Sequence, residues 1–120
     1  MAVADYKNLI VWKKSMDLVV EIYNLVKKLP KEETFALSSQ MRRAVVSIPS
    51  NITEGYSRNS EKQFAQFLSI SKGSASELET QLLICMRLDY LKESQVINAL
   101  NLCDEVCRMI NKLIKIKIKE

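Results

Sequence analysis

The chain contains no histidine. That single absence removes the commonest general base, the commonest metal ligand and the side chain that ordinarily titrates near neutrality. Glycine and proline are scarce as well, with two of each among 120 residues. So few turn-forming residues exclude the many tight turns of a β-sandwich and point to long helices joined by short links. Cys85, Cys103 and Cys107 form an odd set without the spacing of a disulfide framework, and the first residues lack the basic-then-apolar pattern of a secretion signal. Both features fit a reducing cytoplasm. No apolar run approaches the roughly 20 residues that cross a bilayer, so no membrane partner is expected.

What the chain does contain is 48% apolar and 27% charged residues, enough for one domain, 1–120, with a real core. The formal charge of +4 and pI near 9.0 give a mild pull toward anions. The organising stretch is Gln40–Gly55. There Leu37, Met41, Ala44, Val45, Ile48 and Ile52 recur at helical spacing as one apolar face, with Arg43, Ser47, Ser50 and Glu54 on another. Pro49 inside this pattern predicts a kink. Gly55 reads as the left-handed residue that closes the helix.

The same periodicity predicts helices over about 9–29, 33–55, 60–91 and 94–116. Pro30 breaks the first helix by biasing Leu29 away from helical angles. Glu32 and Glu33 suit the positive end of the second. Ser60 and Gln63 match a capping box at the start of the third, and Ser94 is read as the cap of the fourth. The lysine-rich end, Lys112–Lys119, reads as a frayed last turn. Short links between four amphipathic helices predict an all-α, antiparallel up-down-up-down four-helix bundle.

Several helices carry two apolar seams. In the first, Trp12, Met16, Val19 and Tyr23 run beside Leu18, Ile22, Leu25 and Leu29. In the third, Ile70, Gly73, Glu77, Ile84 and Leu88 form a second face. Burying both faces needs a covering surface, which predicts a homo-oligomer with Leu18, Ile22, Leu25, Ile70, Gly73 and Glu77 at the subunit interface. Gly73, set among Ser71, Ser74 and Ala75, marks a close backbone approach, because glycine inside a helix costs about 1 kcal/mol relative to alanine.

Reactive chemistry is thinly represented. Cys103 and Cys107 are one helical turn apart, but they fall on an apolar seam and lack partner ligands, so no metal and no cofactor are expected. Glu77 and Glu79 project to nearly opposite sides of a helix and cannot act as an acid–base pair. No glycine-rich phosphate loop, Cys–His pair or serine elbow occurs, so neither an enzyme nor a small-molecule substrate is expected. The cations Arg42, Arg43, Arg58 and Lys62 are the candidate phosphate contacts. For Arg43 a rival role stands beside this one, the neutralisation of Glu77 where that carboxylate interrupts an apolar face.

The run Gln40-Met41-Arg42-Arg43-Ala44-Val45-Val46-Ser47-Ile48-Pro49-Ser50-Asn51-Ile52-Thr53-Glu54-Gly55-Tyr56, with Arg58, Phe67-Leu68 and Gly73-Ser74 with Glu77, resembles the four-helix bundle proteins encoded within bacterial 23S ribosomal RNA intervening sequences. Leu9-Ile10-Val11-Trp12 and Leu29-Pro30 extend the likeness over nearly the whole chain; Thr53 departs from the alanine usual there. The resemblance implies an antiparallel bundle closed into a ring, commonly a pentamer. In fold it is similar to the accessory variability proteins of diversity-generating retroelements, pentameric barrels that bind nucleic acid. The expected function is therefore a non-enzymatic, homo-oligomeric bundle that binds nucleic acid, RNA ahead of DNA. A structural assembly module without nucleic-acid activity is the alternative.

Overall fold

The computed structural model describes residues 5–118, with side chains through Ile116. Four antiparallel helices form the bundle: α1 (Ile10–Val26), α2 (Leu37–Tyr56), α3 (Glu61–Arg87) and α4 (Glu93–Ile118). Each packs on its neighbours in sequence, and α1 closes the ring against α4. The result measures 47 × 21 × 20 Å.

The helix ends follow from local hydrogen bonding. α1 stops at Val26, short of the expected 29, because Lys28 and Leu29 donate three residues back, to Leu25 and Val26, as the chain tightens ahead of Pro30. A single 3₁₀ turn, Lys31–Glu33, precedes α2, which begins at Leu37 rather than near 33. Glu33 caps it from a distance: its Oε1 accepts the Leu37 amide at 3.3 Å, while its Oε2 accepts the Tyr90 hydroxyl at 2.7 Å. Ser60 caps α3 by accepting the Gln63 amide at 3.2 Å, one half of the expected box. α3 ends at Arg87, before the expected 91. Asp89 takes the left-handed conformation (φ 59), and the Tyr90 and Asp89 amides return to the carbonyls of Cys85 and Met86. α4 begins at Glu93, and its cap differs from expectation: Gln95 Oε1 accepts the Lys92 amide at 2.8 Å, and Ser94 lies inside the helix. The lysine-rich end remains helical through Ile118.

Core placement corrects one expectation outright. Leu18 and Ile22 are 0% exposed and Leu25 4%. They pack inside their own subunit with Met41, Ile48, Leu68, Leu82 and Ile110, and so cannot line a subunit interface. The exposed seam of α1 is the other one, at Met16 and Tyr23. On α3, by contrast, Ile70, Gly73 and Glu77 do lie on the outer face.

Both glycines also differ from their sequence reading. Gly55 has a negative φ and sits buried within α2, where an added Cβ would lie 2.6 Å from Phe67 Cβ; it marks a close approach of α2 to α3. Gly73 faces open space. The close approach expected near it is made by its neighbours. Ser74 Oγ lies 2.9 Å from Ser47 Oγ, Ser71 Oγ donates to the Ile48 carbonyl at 2.8 Å, and Asn51 donates to the Ser47 carbonyl at 2.8 Å. The two serine bonds knit α2 to α3 just before Pro49, and the Asn51 bond braces α2 across Pro49, where the backbone ladder loses one donor.

Burial pushes the Cys85 thiol up to about 11 and the Cys103 thiol up to about 12, and raises that of half-buried Cys107 in the same direction. Unfolded thiols ionise near 9.0. Their contribution to stability is therefore complete below about pH 9 and is lost as pH climbs toward 12. Titration of the native protein with an aromatic disulfide reagent near pH 8 should register Cys107 first. Cys85 and Cys103 should react only as the bundle opens. Rapid reaction of all three thiols in the native state would contradict this packing.

Candidate nucleic-acid interface

The four cations singled out by sequence fall at two ends of the bundle. Arg42 and Arg43 occupy the second turn of α2. Arg58 follows its last turn, about 24 Å away at 1.5 Å per residue. Arg42 is half-buried and its guanidinium is 3.5 Å from the Thr34 carbonyl. Arg43 is exposed, and among the described residues it makes no ion pair with Glu77, which instead accepts a long bond (3.4 Å) from Gln81 Nε2. Within the subunit, the structural role weighed for Arg43 is therefore unfilled. Gln81 Oε1 is buried there without a protein donor.

The end of the bundle that holds Arg58 is richer. On α4, Arg108, Lys112 and Lys115 are all exposed and follow one another at intervals of four and three, so they share a face over about 10 Å of helix. With Glu105 and Met109 they line one shallow depression. Glu105 is neutralised by Lys14 of α1 at 3.1 Å. Arg108 pairs with Asp104 at 3.0 Å, an exposed i,i+4 pair of the kind worth about 0–1 kcal/mol and readily exchanged for a phosphate. Among the described residues Lys112 and Lys115 have no carboxylate partner.

Beside this row runs a groove between the start of α1 and the end of α4. Leu9, Ile10, Leu113 and Ile116 supply apolar walls, with Asn8 at one edge and Lys112 shared with the cationic depression. Ile10 and Ile116 are 62% and 51% exposed. Across Leu9 and Leu113 the surface continues to Tyr56, Arg58, Asn59 and Ser60. Arg58 is held by Glu54 at 2.7 Å and lies over the Phe67 ring at 5.1 Å. Lys62 is exposed on the first turn of α3 nearby. One end of the molecule thus carries a cationic row along one side of an apolar groove, while the far side mixes Arg58, paired with Glu54, and the carboxylate Glu61. Sequence reasoning named Arg58 and Lys62 but missed Arg108, Lys112 and Lys115. The signal was present, since residues 106–119 contain five cations and no carboxylate.

Such a surface can hold phosphates. Three exposed cations on one helix face offer charge-assisted contacts to a run of phosphates. Among the described residues no three metal-ligating side chains cluster.

A family model described as 23S rRNA-intervening sequence protein matches residues 7–112. The crystal structure of a protein of unknown function from the S23 ribosomal protein family, from Bacteroides thetaiotaomicron VPI-5482, is similar, with a TM-score of 0.81 and 32% identity over 88% of this chain and 96% of that one. No curated protein matches the chain. The family pattern runs from the turn before α1 into the cationic row of α4, and the chain belongs to the 23S rRNA-intervening sequence protein family.

Proposed function

We propose that the protein is a non-enzymatic, cytoplasmic, homo-oligomeric bundle that binds nucleic acid through its phosphates, using the end where α1 meets α4. Charge segregation carries this reading. Of 18 cations, five lie at 106–119 without a carboxylate, and the remaining 13 face 14 carboxylates. Among the described residues Arg108, Lys112 and Lys115 stand exposed on one face at this end of the bundle, and a localised cationic surface is what polyanions select. The family name, which refers to ribosomal RNA, supports RNA ahead of DNA. Among the described residues no helix is long and apolar enough to cross a membrane.

Salt titration tests the proposal. Affinity for structured RNA should fall steeply with salt, and Lys112→Ala and Lys115→Ala should each lower the slope of log K against log salt by about one. Binding that ignores salt would overturn it.

A ring of five, the assembly implied by the family resemblance, would cover the outer face of α3, where Ile70, Ile84 and Leu88 are 50%, 40% and 51% exposed. Light scattering should return a multiple of 13.8 kDa; the monomer mass at micromolar concentration would remove the ring. These same exposed side chains favour the second reading, an assembly module alone. That reading is met by an oligomer that binds no nucleic acid.

A further inference from the structure

We infer that the groove between α1 and α4 receives an unstacked base, so that the protein selects unpaired nucleotides over duplex; the inference rests on the phosphate-binding reading above. The cationic row and the apolar groove are one continuous surface joined at Lys112, with Asn59, Glu61 and Arg58, the last paired with Glu54, on the far side of Leu9 and Leu113. A surface meant only for phosphates has no use for Ile10 and Ile116 standing 62% and 51% exposed beside its cations. The occupant must be anionic along the α4 margin and apolar beside it. A strand whose phosphates follow α4 while a base turns into the groove has this distribution, whereas a duplex keeps its bases stacked within. The side-chain amides of Asn8 and Asn59 flank the groove, and among the described residues neither forms a hydrogen bond. Each offers a donor and an acceptor to a base edge.

The test uses the full chain and four probes in anisotropy titrations at fixed ionic strength: a labelled oligouridine strand, an abasic strand of equal length, an RNA duplex of equal length, and phosphatidylserine vesicles as competitor. The strand with bases should bind about tenfold more tightly than the other two nucleic acids, which corresponds to about 1.4 kcal/mol. Ile10→Ser with Ile116→Ser, both at exposed positions that should leave the fold intact, should erase that preference while preserving the salt slope. Lys112→Ala should weaken all three nucleic acids alike. Equal affinity for the three overturns the base-binding inference and leaves phosphate binding standing; absence of binding to any of them overturns both. Tight capture by vesicles that displaces the strand assigns the surface to anionic lipid, and loss of oligomer mass in the double isoleucine variant assigns it to subunit contact. Either result overturns the inference.

Discussion

Leu18→Glu combined with Ile22→Glu should leave no cooperatively folded subunit. Both side chains are 0% exposed at the centre of the bundle. Removing each large aliphatic group costs about 2–5 kcal/mol, and each carboxylate placed there must shed its water without a partner, at several kcal/mol more. A domain of this size has about 5–15 kcal/mol in total. Circular dichroism should show both the helical signal and its cooperative melt lost. If the variant instead stayed helical and merely lost oligomer mass, these residues would lie between subunits and their placement in the core would be wrong.

The second large effect is expected at Gly55. Its Cβ position is 2.6 Å from Phe67 Cβ and 3.1 Å from Phe64 Cδ1. A Cβ is fixed to its backbone, so relief requires α2 and α3 to move apart. Gly55→Val should therefore lower stability by about 3 kcal/mol, with Gly55→Ala intermediate because alanine's helix propensity returns about 1 kcal/mol. Gly73→Ala, facing open space at a helical position, should instead stabilise by up to about 1 kcal/mol. Chemical denaturation midpoints of the two alanine variants should shift in opposite directions. A stabilised Gly55→Ala would show that α2 and α3 are less tightly apposed than described.

The contrast between these glycines shows where sequence reasoning succeeds and fails. Periodicity gave four helices and their connections, because apolar spacing at three and four directly encodes which stripe must leave water. It could not tell which of two stripes faces the core. On α1 the stripe through Leu18 and Ile22 goes inward and the stripe through Met16 and Tyr23 remains partly outside, a choice fixed by the rotation of α1 against α2 and α4. The small residues announced close packing on α3, but the contact falls to Ser71 and Ser74 rather than to Gly73, again a matter of rotation by a single residue. Helix ends shifted for a related reason: Glu33 and Gln95 cap from three or four residues away, in patterns less familiar than a serine at the first position. At the candidate site, attention to paired arginines drew the eye to Arg42 and Arg43. The acid-free run after Glu105 was read as a fraying tail, although its charge is the most asymmetric in the chain.

The path of the chain through the bundle bears on when this site exists. α1 pairs with α2, α2 with α3 and α3 with α4, all neighbours along the sequence; only the α1–α4 seam joins the two ends of the chain, with the Asn98–Glu21 bond spanning 77 residues. Contacts between sequence neighbours close small loops and form early, whereas this seam must wait for the largest loop. The groove and its cations therefore come into being with the final stitch of folding, and they are lost first if either chain end peels away. Any ligand that bridges Lys112 and the start of α1 would act as a clasp on the whole bundle, binding only the closed form and slowing its opening.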